Sequence, residues 1–102
     1  MQVQLGSVNF GPVSGSGPQV SSTNVTFGSA VSQATAILTG FLVEFSGGND
    51  HNLGQLDVQV AVPAGGTNGA TVTIQVTYGL RDWSGDWDDQ YDGTINFAVI
   101  GD

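Results

Sequence analysis

The chain has no cysteine, one lysine or arginine (Arg81), one glutamate (Glu44) and one histidine (His51) among its 102 residues. Without cysteine there are no disulfides and no thiolate metal sites, so stability must come from packing or from subunit contacts. One cation against nine acids gives a net charge of −8 and a pI near 4.1. That balance excludes nucleic acid and anionic membrane as partners and leaves sugars, cations and proteins. The start, Met1-Gln2-Val3-Gln4-Leu5, carries neither a basic patch nor a long apolar run. No signal peptide or transmembrane helix is therefore expected, although a mature form would look the same. The scarcity of Lys and Glu beside abundant Gly, Ser, Thr and Val is a poor recipe for helix and a good one for strands and turns. The expectation is one all-β domain over residues 1–102.

Period-two patterning places the strands. Leu56, Val58, Val60 and Val62 alternate with polar or small residues, as do Val72, Ile74, Val76 and Tyr78. The turn-forming stretch from Pro63 to Gly69 separates them, which predicts an antiparallel hairpin. From Ala36 to Phe45, Ile37, Thr39, Phe41, Val43 and Phe45 fall on one side and Leu38 and Leu42 on the other. Two apolar faces predict a central strand, or one whose outer face meets another subunit. Ile95, Phe97 and Val99 share a face in the last run, Thr94 to Ile100. The first run, Val3 to Phe10, changes phase at Gly6-Ser7 as a bulge would. Asn24 to Phe27 supplies a short sixth strand, and the Gly-, Ser- and Pro-rich residues 11–23 read as a long loop or arm. The sum is a six-stranded antiparallel β-sandwich.

Residues 81–93, from Arg81 to Gly93, hold both tryptophans, five acids and the only Arg. Carboxylates at this density resist burial, so the segment reads as an exposed loop. Two indoles there either wait for a partner to cover them or plug the open end of the sandwich. Sugar recognition needs a flat apolar surface for the C–H face of a pyranose and planar polar groups for its hydroxyls. Trp83, Trp87 and Tyr91 supply the first; Arg81, Asp82 and Asp86 supply the second. Trp87, flanked by Asp86 and Asp88, is the ring expected to be most exposed. The bland alternative is that Arg81 only neutralises a neighbouring carboxylate. Asp86, Asp88, Asp89 and Asp92 are candidate calcium ligands, although their spacing departs from the EF-hand loop.

The order Asn24-Val25-Thr26-Phe27-Gly28-Ser29, a strand from Ala36 to Phe45, a hairpin, an aromatic loop closed by Tyr91 and the strand Ile95 to Ile100 resembles the H-type lectins, the snail-agglutinin and discoidin C-terminal domains. The resemblance covers roughly residues 24–100. It implies a parallel homotrimer that binds galactose or N-acetylgalactosamine between neighbouring subunits, with no catalytic group, and it matches Tyr91 to a sugar-contacting tyrosine. Two positions depart from the pattern. Gly54 follows Asn52-Leu53 where the family carries its sugar-binding arginine, and Asp88 follows Trp87 where a histidine of the aromatic loop would stand.

Catalysis finds no support in the sequence. Glycoside hydrolysis needs two carboxylates across a cleft, and Glu44 lies inside a strand. His51, in the polar turn Gly47 to Asn52, has no second histidine or cysteine to join it and reads as an ordinary loop residue. The leading expectation is a non-enzymatic glycan-binding module, extracellular or on a virion surface. The rival is a phage decoration or tail-fibre protein that uses the same sandwich for assembly or receptor attachment.

Overall fold

The computed structural model describes residues 1–15, 17–48 and 51–102; Ser16, and Asn49 and Asp50 of the polar turn, lie outside the described residues. The chain is all-β. Its strands are β1 (Gln2–Val13), β2 (Gln19–Thr26), β3 (Ala34–Phe45), β4 (Leu53–Ala61), β5 (Thr67–Asn68), β6 (Thr71–Asp82) and β7 (Tyr91–Gly101), with one short 3-10 turn at Ser46–Gly48. Two antiparallel sheets form, ordered β1-β7-β3 and β2-β6-β4, and the two-residue β5 pairs with the start of β6. Long strands stretch the domain to 46 × 21 × 17 Å. Among the described residues, no helix is long and apolar enough to cross a membrane.

The core lies between the two central strands. Val72, Ile74, Val76, Tyr78 and Leu80 of β6 face Tyr91, Ile95, Phe97 and Val99 of β7, and Phe27 and Val31 close one end. Alternation explains this directly, because every second residue of a strand points to the same side. The expected hairpin is present as β4 with β6, in the register Leu56↔Leu80, Val58↔Tyr78, Val60↔Val76.

Four expectations change. Residues 11–23 are not one loop: Gly11–Val13 finish β1 and Gln19–Thr23 begin β2. The inward side chains of β2 include Ser21 and Thr23, so pairing with β6 rather than an apolar stripe makes it a strand. β3 is an edge strand, not a central one. Its register shifts between Leu38 and Gly40, and the extra residue reverses the alternation. Ala36, Leu38, Val43 and Phe45 therefore pack against the core, whereas Ile37, Phe41 and Leu42 stay exposed. Conversely, the pairing of β1 with β7 runs unbroken from Gln2 to Phe10, so Gly6-Ser7 is no bulge. The phase change there is real but means something else: Val3 and Leu5 point outward, and Val8 and Phe10 point inward.

Candidate functional site

Antiparallel topology brings three connections to one end of the sandwich, those that join β1 to β2, β3 to β4 and β6 to β7. The segment expected to be one exposed loop is in fact a loop with strand shoulders. Arg81 and Asp82 end β6, residues 83–90 form the connection, and Tyr91 opens β7.

The aromatic residues separate. Trp83 is 75 % exposed, the most water-facing ring of the pair. Trp87, expected to be the exposed one, is half-buried; its carbonyl accepts a bond from the Gly15 amide, and the Arg81 guanidinium lies 5.8 Å from its ring centre. That approach is a cation–π contact, which holds the ring against the end of β6. Tyr91 does not belong to a surface platform. It is 1 % exposed, its ring meets Phe10 edge-on, its hydroxyl donates to the Tyr78 carbonyl, and burial pushes its phenol above its ordinary pKa. The first residue of β7 points inward, and strand parity outweighs the polar tip of the side chain.

Arg81 Nη1 donates to the backbone carbonyl of Asp82 at 2.9 Å, and its Nη2 reaches Gln55 Oε1 at 3.5 Å. These bonds hold the guanidinium at the strand end. Asp82 accepts from both the amide (3.0 Å) and the hydroxyl of Ser84 through one oxygen, Oδ1. Its other oxygen, Oδ2, lies 3.3 Å from His51 Nδ1, and Asp89 Oδ2 lies 3.6 Å from the same nitrogen. The Ser84 hydroxyl holds the Asp82 carboxyl below the usual carboxylate range, whereas partial desolvation, reinforced by Asp82, pushes Asp89 up. Phe45 packs on the His51 ring with centroids 4.6 Å apart. Backbone pairing closes this corner, since the Trp83 amide donates to the Asn52 carbonyl.

Of the proposed calcium ligands, only Asp89 enters a converging group. Asp86 and Asp88 are exposed, and Asp92 accepts a bond from Ser46 Oγ at 2.7 Å. Among the described residues, the group of three side chains able to ligate one ion is His51, Asp82 and Asp89. The sequence did not join His51 to Asp82 and Asp89 because these neighbours come from another connection. Its place beside a run of acids across a hairpin was the available signal.

Gly54 is fixed by the backbone that faces it. It sits at the irregularity between Leu53 and Gln55, and a Cβ there would collide with the Asp82 carbonyl oxygen. The close approach of β4 to β6 thus forbids any side chain at this position. Comparison with protein-family models, with characterised proteins and with solved structures finds no match.

Proposed function

We propose that the chain is a non-enzymatic glycan-binding module whose site is the loop end around Trp83. One observation carries this reading: a large indole stands three-quarters in water on the loop that leaves the central strand β6. An exposed indole offers a partner a flat apolar face and a polar N–H edge. The C–H face of a pyranose stacks on the ring, and the exposed carboxylates of Asp86 and Asp88 accept from its hydroxyls. The resemblance to the H-type lectins, which implies galactose-type sugars as ligands, draws on an all-β chain of two antiparallel sheets, one of three strands and one of four. Arg81, not a residue at position 54, brings the guanidinium to this end.

A glycan array run on the parent and on Trp83→Ala tests this. Forfeiting the stacking surface of one ring is worth about 1–3 kcal/mol, a loss that takes a weak sugar site below detection. The thermal midpoint should stay within a few degrees, because the ring contributes little to the core. A parent that binds no glycan, or a variant that binds as well as the parent, contradicts the reading.

A second reading, assembly through the sheet face as in a virion component, draws on the outer side of β1-β7-β3. Leu5 and Ile37 flank Ala98 in register, with Val3 and Leu42 exposed along the same strands. Apolar rows of this kind mark subunit interfaces. Light scattering at micromolar concentration should report a homo-oligomer, a trimer in the lectin reading, and Leu5→Asp with Ile37→Asp should reduce it to monomer. A monomeric parent removes this interface.

A further inference from the structure

We propose that His51 Nδ1, Asp82 Oδ2 and Asp89 Oδ2 form a binding site for one divalent transition-metal cation, with Zn2+ as its representative. The proposal stands independently of the glycan reading and rests on four features of this corner.

The donor set is one imidazole nitrogen and two carboxylates, with all three ligand atoms within 4.8 Å of one another. Nitrogen with oxygen suits borderline cations such as Zn2+, whereas calcium takes oxygen alone.

The separations fit a shared ion better than they fit direct bonding. Two donors about 2.1 Å from a cation, at angles between octahedral and tetrahedral, lie about 3.0–3.4 Å apart. The observed distances from Nδ1 are 3.3 Å, inside that span, and 3.6 Å, just beyond it. A charge-assisted hydrogen bond would draw nitrogen and oxygen to about 2.7–2.9 Å, and a single Nδ1–H can serve only one of the two carboxylates at that length.

The ligands are also held from behind. Ser84 occupies Asp82 Oδ1 through its amide and hydroxyl, which leaves Oδ2 turned toward His51. Phe45 packs on the imidazole. Such supports orient ligands before an ion arrives.

Finally, the two carboxylates lack the obvious alternative counter-ion. The only Arg of the chain spends its Nη1 on a backbone carbonyl and lies over Trp87. A bound cation would offset the like charges and tie the 46–52 connection to the 83–90 loop and the end of β6.

The test uses the tag-free chain after chelator treatment, titrated with Zn2+ at neutral pH by calorimetry, with Ca2+ in a parallel run. The expected result is one equivalent of Zn2+ bound, a raised thermal midpoint in its presence, and affinity at least tenfold weaker in both Asp89→Asn and His51→Gln. Because the chain has a single histidine, its imidazole nitrogen resonances report directly on the parent, so the test survives a variant that fails to fold. Zn2+ should shift Nδ1 far more than Nε2. No Zn2+ binding, binding that leaves Nδ1 unmoved, or Ca2+ held as tightly as Zn2+ would each overturn the proposal.

Discussion

Phe97→Ala should cost about 3–5 kcal/mol, enough to bring a domain of this size near its unfolding threshold. Phe97 is 1 % exposed at the middle of β7, between Gly6 of β1 and Leu38 of β3. Its ring fills the space that Gly6 leaves empty; a Cβ on Gly6 would come within 2.5 Å of the ring. Truncation therefore opens a cavity beside Gly6, which has no side chain to refill it. No disulfide restrains the unfolded chain and limits the damage. Urea denaturation read by fluorescence gives the loss directly. A change under about 1 kcal/mol would mean that the sheets do not pack around this ring.

Gly54→Ala is expected to combine a stability loss with damage to the loop end. One methyl group collides with a main-chain carbonyl, which no rotamer change can move aside. The end of β6 or the start of β4 must shift, at about 1–3 kcal/mol. Asp82 and Trp83 sit on the displaced segment, so glycan binding should fall along with the thermal midpoint. In this respect the variant differs from Trp83→Ala, which should affect binding alone. A Gly54→Ala protein with the parent's midpoint would show that β4 and β6 do not approach as closely as described.

These two positions also mark what was legible in the chain. Phe97 announced itself through alternation with Ile95 and Val99, and β4, β6 and β7 were readable for the same reason: one face is buried, and period two records it. Of β2 only the end was readable, as the short strand expected from Asn24 to Phe27. It is an edge strand whose inner side chains include serine and threonine, and its place comes from the backbone of β6. The two faces of β3 were visible, but the residue at which they exchange was not, because a bulge is an event of pairing rather than of composition. Gly54 could be read only as an absent side chain; its cause is a carbonyl from a strand that the sequence places elsewhere. At the candidate site, acid density located the loop correctly. It could not distinguish Trp83 from Trp87, because that depends on which indole the Arg81 guanidinium covers. Tyr91 was misassigned to the surface since its polar neighbours concealed the inward phase of β7. His51 joins Asp82 and Asp89 only through folding of the hairpin end.

The most direct measurement of the central claim uses the fact that the chain has only two tryptophans, whose indole N–H resonances report each ring separately. A titration with N-acetylgalactosamine, or with the tightest glycan found on the array, should shift the Trp83 indole resonance in step with binding and move that of Trp87 less. Binding that leaves the Trp83 resonance in place would contradict the account.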